Sequence, residues 1–482
     1  MPPVVSRQHH RPVTTSSPPP SDVSLVEAVW AALDGPAGML EGLTLTGARR
    51  MLPSAFDVTG FATATVAAAA LAVAELAAAR RGGAPGAVAV DRRAASAAFA
   101  GEGILSPLGW ERPPVWDPVA GDYPTLDGWV RLHTNYAHHR DAVARALGVP
   151  AERDAVAAAV AARHADDVEA AVVAEGGAAA AQRSRDAWVA SPAGQAAGRA
   201  PLVAVAEAPA RGAPIATPTT DRALEGIRVL DLTRVIAGPE CTRFLAAHGA
   251  DVVRIDPPGF AEVPALLPET TVGKRCAALD LRSPAGRTAF EALVGQAHVL
   301  VVGYRPAALG AAGYELARLR ALQPALVVAR LDAYGWEGPW RERRGFDSLV
   351  QMSTGITAAG QAATGAPRPV PLPVQALDHG GGFVLAAVVV RALTRLLTTG
   401  RTSEARTALV GMAELLAAHP DPDGLGTEPP GWGDDDTVAD TSAWGPLRRV
   451  PTPGRVEGCR VGWEGEAGPL GRHPAAFRTV AG

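Results

Sequence analysis

A carboxylate before a long apolar segment is the residue best suited to chemistry in this sequence. Asp378 precedes Gly380, Gly381 and Gly382, which lead into the apolar residues 384–397. A helix N-terminus favours the ionised form of a carboxylate, and its free N–H groups can stabilise a developing oxyanion. The glycines would let a substrate approach the backbone. The local sequence also fits a helix N-cap, so both interpretations of Asp378 stay open.

A second candidate for chemistry is a lone lysine. Lys274 is the only lysine in the chain, and it stands beside Arg275 before a predicted strand over 277–281. A lysine retained in so arginine-rich a sequence, within a predicted loop, suggests contact with a phosphate group. The alternative is a solvated pair of basic residues in a surface loop.

The residues around these candidates predict a parallel sheet. Residues 224–256 read as a strand (227–232), a turn at Gly238-Pro239, a helix ended by Gly249 and a second strand (252–255). Further strands are predicted over 277–281, 299–302 and 326–331, with helices over 284–296 and 306–322 between them. The fold class that follows is α/β: an open parallel Rossmann-like sheet domain with helices on both faces, plus a mainly helical α+β smaller domain.

Composition divides the chain into five parts. The predicted parts are a disordered tail (1–22), a helical half (24–210), a linker (211–223), an α/β domain (224–419) and a Pro/Gly/Trp-rich extension (420–482). An internal repeat crosses the linker, because Asp57 and Asp378 each follow Leu-Pro and precede Gly-Phe and an apolar segment. Asp57 is predicted to be a helix cap, but which aspartate is the working copy is left open. The repeat needs one-residue shifts, so a chance match is the alternative.

Charge and cysteine usage exclude several classes of function. The net charge is −4 with no long basic run, which argues against partners such as nucleic acid or an anionic membrane. The three cysteines form no Cys-x-x-Cys pair, so neither a metal site nor a disulfide framework is expected. Residues 61–79 are nearly long enough to span a membrane, but they include Thr63, Thr65 and Glu75 and predict a buried helix. The expected location is the cytoplasm.

Five ordered blocks of this sequence resemble the family III CoA-transferases. They are residues 226–239, Gly273-Lys274-Arg275 with the following Ala-Leu-Asp-Leu, residues 301–306, residues 334–339 and Gly345-Phe346-Asp347. Residues 86–91 and 127–132 resemble the strand after the catalytic helix and the smaller domain of that family. This chain therefore carries small-domain-like blocks before the nucleotide-binding part, whereas the family has the opposite order.

The resemblance implies an acyl-CoA:carboxylate CoA-transferase that forms an aspartyl-CoA thioester, acts on coenzyme A esters without a metal and is a homodimer. Asp378 would be the nucleophile. The residues that would bind CoA are Lys274, Arg275, Gly303, Tyr304, Arg305 and Tyr334. Ile236 stands where formyl-CoA transferase has Gln, which leaves the acyl specificity open. Asp347 is predicted to be structural.

Three other functions compete with this one. A non-catalytic CoA-binding or scaffold protein could keep the same fold. An acyl-CoA racemase is disfavoured, because Phe346 stands where the racemase branch has a proton-transferring His. A nicotinamide-dependent oxidoreductase could bind a ribose through Asp256, but the turn at residues 235–239 lacks the Gly-x-Gly-x-x-Gly spacing.

The order of the blocks leads to one structural hypothesis. The two halves would form one composite unit, in which residues 61–79 and 384–397 pack as equivalent apolar helices.

Overall fold

A computed structural model of the chain describes residues 21–210, 215 and 217–478. Residues 1–20 of the predicted tail (1–22) lie outside the described residues. Residues 211–214 and 216 of the predicted linker lie outside them as well. The first described helix begins at Ser21, and Asp22 in its first turn forms a buried ion pair with Arg92.

The first part of the chain folds into helices and short strands. In chain order these are α1 (Ser21–Ala32), β1 (Leu43–Thr46), α2 (Val58–Arg81), β2 (Val88–Asp91), α3 (Arg92–Phe99), α4 (Gly101–Ile104), β3 (Ser106–Pro107), β4 (Gly121–Pro124), β5 (Trp129–Leu132), α5 (Ala137–Leu147), α6 (Arg153–Ala161), α7 (Ala165–Ala174), β6 (Ala179–Ala181), α8 (Arg185–Ala190), α9 (Pro192–Arg199) and β7 (Ala204–Pro209). Strands β4, β5 and β6 form an antiparallel sheet against which α5, α6 and α7 pack around a separate apolar core. This is a small α+β unit, as the sequence predicts.

The second part alternates strands and helices and then ends in short strands. Its elements are β8 (Arg228–Leu232), α10 (Ala237–Ala247), β9 (Asp251–Asp256), α11 (Leu267–Thr270), β10 (Lys274–Ala278), α12 (Pro284–Val294), β11 (Val299–Val302), α13 (Ala308–Ala311), α14 (Leu316–Leu322), β12 (Val327–Asp332), α15 (Asp347–Ser353), α16 (Ile356–Thr364), α17 (Ala376–Thr399), β13 (Arg401–Ala408), α18 (Leu409–Ala417), β14 (Val438–Ser442), β15 (Gly445–Arg449) and β16 (Arg455–Val456). Short 3₁₀ turns lie at Ala37–Gly42, Pro264–Leu266, Gly424–Gly426 and Asp434–Asp436. In the extension, β16 pairs with β2 and β15 pairs with β3, which fastens it to the first part of the chain.

A seven-stranded sheet forms the centre of the second part, in the order β10-β9-β8-β11-β12-β13-β7. Six strands are parallel, and β7 adds an antiparallel edge from the first part of the chain. Every residue of β11 is buried, as expected for a strand covered on both faces. The sheet confirms the predicted α/β class. Strand order reverses between β8 and β11, and ligands bind beyond the carboxyl ends of strands at such a switch point.

Two element boundaries differ from the sequence-based prediction. Strand β10 begins at Lys274, three residues before the predicted start, so this lysine belongs to the strand and not to a loop. The helix predicted over 306–322 is divided into α13 and α14. Gly313 lies between them with a φ of 86°, a left-handed conformation that ends the first helix.

The apolar helices α2 and α17 lie side by side in the core, which confirms that these segments pack together. The ring of Phe61 contacts Gly380 so closely that a Cβ atom there would lie 2.3 Å from it. Farther along, Glu75 and Arg391 form an ion pair between the two helices. Each helix is long and apolar enough to cross a membrane, but both are mostly buried in the protein, as predicted for residues 61–79.

The two helices also have similar successors. Helix α2 leads into β2 and α3, and α17 leads into β13 and α18. Both strands pair in parallel with a neighbour, β1 in the first case and β12 in the second. This shared helix–strand–helix order supports the repeat seen in the sequence.

Candidate functional site

The main cavity lies at the switch point of the sheet and has a volume of about 470 Å³. It is lined by Thr233, Arg234, Val235, Ala237 and Gly238 after β8, by Gly303, Tyr304, Arg305 and Ala308 after β11, by Leu331, Asp332 and Ala333 at the end of β12, by Arg343, Arg344, Gly345 and Phe346 before α15, by Asp378 and Leu409, and by Tyr136, His138 and His139 from the first part of the chain. The walls thus come from both parts of one chain, as the composite-unit hypothesis requires.

Asp378 also borders a second cavity of about 380 Å³. The two cavities share the residues Val235, Phe346 and Asp378. A group bound in either cavity would therefore lie beside the same carboxylate.

The carboxylate of Asp378 is not used to cap its own helix. Its backbone N–H donates to Asp347 Oδ2 at 3.0 Å, and the N–H of Leu377 donates to the same oxygen at 2.8 Å. Gln351 Nε2 donates to the other oxygen of Asp347. Among the described residues, no hydrogen bond engages the side chain of Asp378. Asp347 is therefore the structural carboxylate, as predicted, and it leaves Asp378 free.

Burial and a neighbouring acid both raise the pKa of the Asp378 carboxyl. Burial, followed by the charge of Asp347, raises the pKa of Asp378 well above its usual value, and the nearby His379 opposes the shift. Burial also raises the pKa of Asp347 to about 6, against the hydrogen bonds that it accepts from the helix. Acids with strongly perturbed pKa values in a cavity wall are typical of functional sites.

His379, the residue after Asp378, is held as a cation. Its Nε2 lies 2.9 Å from Glu102 Oε2, and its Nδ1 lies 3.6 Å from Glu240 Oε2. Burial disfavours the charged ring, but Glu102 and Glu240 outweigh it and raise the pKa of His379 to about 10. The ring also stacks on Phe99, with centroids 5.4 Å apart. A charged imidazole has no free lone pair and cannot act as a base, and the contact of His379 with Glu102 joins the two parts of the chain.

Arginines supply the positive charge of the main cavity. Arg234, Arg305 and Arg344 line it, and none of them forms an ion pair with another described residue. The guanidinium of Arg234 lies 3.7 Å from the ring centre of Phe260 and 5.1 Å from that of Tyr304. Unpaired guanidinium groups beside aromatic faces suit phosphates and a flat base.

Of the sequence-predicted site residues, the structure brings Gly303, Tyr304, Arg305 and Asp378 together around the main cavity. Sequence reasoning missed Arg234, Arg344 and Asp332. Arg234 and Asp332 stand at the carboxyl ends of β8 and β12, so the rule that selected Arg305 could have found them. Burial raises the pKa of Asp332 to about 7, although hydrogen bonds from the backbone N–H groups of Ala333, Tyr334 and Gly335 oppose the shift.

Lys274 occupies a different position from the one predicted. Its side chain is fully buried, and its Nζ donates to Asp231 Oδ2 at 3.1 Å and to the Pro239 carbonyl at 2.9 Å. The loop position predicted for it is therefore wrong, because the strand starts earlier and the charge is compensated inside the protein. Lys274 lines neither of the two cavities that Asp378 borders.

Arg275 and Tyr334 also lie away from both cavities. Arg275 is half-buried on β10, near the C-terminal segment that contains His473. Tyr334 is buried, its hydroxyl lies 3.0 Å from Ser353 Oγ, and its ring packs edge-on against Trp340. Neither residue lines a cavity in this structure, and their contact with CoA stays a prediction.

A strained turn separates the two cavities. Val235 has a φ of 65°, which is a left-handed conformation that a β-branched residue rarely adopts. Its N–H donates to Glu262 Oε2 at 3.2 Å, and Tyr136 Oη donates to Glu262 Oε1 at 2.6 Å. Arg254 completes the network with a bond of 2.9 Å to Glu262. This buried network connects the turn to the first part of the chain.

Part of the chain is similar to known proteins. Residues 224–430, less than half of the chain, match the model of CoA-transferase family III. The formyl-CoA:oxalate CoA-transferase of Rhodopseudomonas palustris (strain BisB18) is 29% identical over 200 residues, which are 39% of this chain and 46% of that protein. The probable fatty acyl-CoA transferase Rv3272 of Mycobacterium tuberculosis is 30% identical over 217 residues, which are 42% and 55% of the two proteins.

The crystal structure of Rv3272 is also similar, with a TM-score of 0.37 and 31% identity over 40% of this chain and 56% of that one. The chain spans about half the length of the curated relatives that it matches.

Among the described residues, no group of three or more His, Cys, Asp or Glu side chains is placed to hold a metal ion. Residues 224–430, which contain Asp378 and six of the seven strands of the sheet, are similar to CoA-transferase family III.

Proposed function

We propose that this protein is an acyl-CoA:carboxylate CoA-transferase in which Asp378 accepts the acyl group. The observation that carries the proposal is the free carboxylate of Asp378 at the junction of two cavities. One cavity has unpaired arginines suited to the phosphates of CoA, and the other has room for an acyl group. The match of residues 224–430, which include Asp378, to CoA-transferase family III supports the proposed activity.

The reaction would proceed by successive nucleophilic attacks on carbonyl carbons, first that of the donor thioester and then that of Asp378. A carboxylate oxygen of Asp378 attacks the donor thioester, the C–S bond breaks, and the CoA thiolate leaves a mixed anhydride behind. The thiolate then attacks the Asp378 carbonyl and releases the donor acid, which leaves an aspartyl-CoA thioester. The acceptor carboxylate then attacks the aspartyl-CoA carbonyl and expels the CoA thiolate, which forms a second mixed anhydride. The thiolate attacks the acceptor carbonyl of this anhydride, which gives the new acyl-CoA and frees the Asp378 carboxylate.

The protein around Asp378 would support these steps in two ways. Asp347 holds the N–H groups of Leu377 and Asp378, so the reactive oxygens stay unbound. Arg234, Arg305 and Arg344 would hold the phosphates, while Gly303 and Tyr304 would line the adenosine position. The predicted homodimer and cytoplasmic location stay predictions, and sedimentation of the purified chain would test the first.

Trapping of the acylated residue tests the proposal directly. Hydroxylamine is added during turnover, and peptide mass spectrometry then locates the hydroxamate, which we expect at Asp378. Asp378→Ala should abolish exchange while CoA binding persists. Asp57→Ala is the matched control, because Asp57 starts the equivalent helix, and it should retain turnover.

Two results would contradict this assignment. A hydroxamate at Asp57, with loss of exchange in Asp57→Ala, would show that the other copy is the working one. CoA binding without exchange of any acyl group in the unmodified protein would identify the non-catalytic alternative.

A further inference from the structure

The second cavity contains features that specify a ligand. Asp378 stands in its wall, so a thioester whose CoA portion fills the main cavity must direct its acyl group into this space. We propose that the second cavity is the acyl site and that it selects a compact acyl group with a flat apolar ring and no second charge. This inference rests on the proposed function, and it adds the class of substrate.

The walls of this cavity are mainly apolar on one side. Val115, Ile236 and Leu266 line it with aliphatic surface, and Ile236 and Leu266 belong to one buried cluster against which Val115 packs. Aliphatic side chains gain from contact with apolar ligand surface and give nothing to a charged group. This side of the cavity therefore favours a hydrocarbon acyl group.

Aromatic rings form the facing side. His133 and Phe346 are stacked with centroids 3.6 Å apart and planes only 2° apart. Trp116 meets His133 edge-on at 5.7 Å. All three rings line the cavity, and such an arrangement offers faces and edges on which another flat ring can pack.

The charged groups around the cavity disfavour a second carboxylate on the ligand. Glu102, Asp347 and Asp378 line it, against Arg112 as the one guanidinium in the wall. Glu102 is engaged by His379, and Arg112 donates to the backbone carbonyl of Glu102. Burial, and then the charges of His139 and Arg131, lower the pKa of His133, so this imidazole is neutral. A ligand carboxylate would meet more negative than positive charge here.

The volume points to a ligand of intermediate size. A space of about 380 Å³ is much larger than a formyl or acetyl group needs, and it falls within the range of small-molecule sites. A phenyl ring on a short linker would fill more of it and would reach the stacked rings.

Self-exchange between an acyl-CoA and its own isotopically labelled acid measures this preference without knowledge of the natural acceptor. We expect kcat/KM for 3-phenylpropionyl-CoA to exceed the values for acetyl-CoA and succinyl-CoA by at least about tenfold, on the order of the gain from burying a ring. Val115→Trp should remove the preference by filling the cavity. Val189→Trp is the matched control on the exposed face of α8, and it should keep the preference.

Calorimetry separates failure of this inference from failure of the proposed function. If CoA binds but 3-phenylpropionyl-CoA binds no more tightly, the acyl inference alone is overturned. Higher kcat/KM for succinyl-CoA would overturn it as well and would assign Arg112 to a distal carboxylate. If neither CoA nor any of the esters binds, the proposed function falls, and the acyl inference with it.

Discussion

Glu262→Gln is the substitution that best tests how the strained turn is held. Glu262 is fully buried and accepts hydrogen bonds from Tyr136, Val235, Arg254 and the N–H of Val263. Glutamine has nearly the same shape, but it has one acceptor oxygen, and its amide group would face donors. The change therefore removes the charge and part of the hydrogen bonding while it preserves the volume.

The expected loss of stability follows from these contacts. Breaking a buried ion pair costs about 3–5 kcal/mol. Arg254 keeps two hydrogen bonds to Asp256, which places the loss at the lower end, while an unsatisfied Val235 N–H adds about 1 kcal/mol. We expect the free energy of unfolding to fall by about 3–4 kcal/mol in total. Released from Glu262, the turn at Val235 should also relax and raise KM for acyl-CoA.

The pH dependence gives a second readout. Burial opposes ionisation of Glu262, but Arg254 and the hydrogen bonds from Tyr136, Val263 and Val235 outweigh it and lower its pKa below 4.5. The unfolded chain therefore takes up the proton first as pH falls. The stabilisation is complete above pH 4.5 and is lost as pH falls through the folded pKa, so the difference between wild type and Glu262→Gln should shrink in acid.

Urea unfolding at pH 7 and at pH 4, together with exchange kinetics, measures these effects. The control is Glu337→Gln, because Glu337 is exposed and forms no ion pair with another described residue. A loss below 1 kcal/mol at pH 7, or a difference that does not change with pH, would refute the account of this network.

Three further predictions concern ionisable groups in the core and in the cavities. Lys274→Met should destabilise the protein by about 3 kcal/mol because it leaves Asp231 buried without its counter-ion, yet CoA affinity should be unchanged. Arg234→Ala should instead weaken CoA binding by about 1–3 kcal/mol in calorimetry. Weaker CoA binding in Lys274→Met would restore the sequence-based assignment of Lys274 to a phosphate of CoA. Asp378→Asn should be more stable than wild type at pH 7 although it is inactive. Because the pKa of Asp378 is raised in the folded state, the folded wild type loses stability as pH rises above 3.8. A urea midpoint of Asp378→Asn equal to that of wild type at pH 7 would contradict this.

The sheet was predictable because its signal is local. A continuous run of valine and leucine marks β11, and the predicted and observed strands coincide over 299–302. The start of β10 was not predictable in this way, since a lysine at a strand end reads as solvated. Its burial depends on Asp231, a partner 43 residues earlier that no local pattern reveals.

The site was predictable where it follows a rule of topology. Ligands bind beyond the carboxyl ends of strands, and this rule found Gly303, Tyr304 and Arg305. It could not find Tyr136 or His139, because they approach the cavity from the first part of the chain through tertiary packing. Arg344 likewise comes from the irregular segment before α15.

The repeated helices show why local sequence left two interpretations of Asp378 open. Asp57 accepts a hydrogen bond of 2.7 Å from Gly60 N–H, so it is the predicted cap and is held by its own helix. At the equivalent end of α17, Asp347 takes the helix N–H groups, although it lies 31 residues from Asp378 in sequence. A carboxylate bound by its own helix is a poor nucleophile, whereas one that is buried and unbound can react. The difference between the two copies therefore depends on Asp347, and removing its carboxylate should turn Asp378 from a reactive group into a cap.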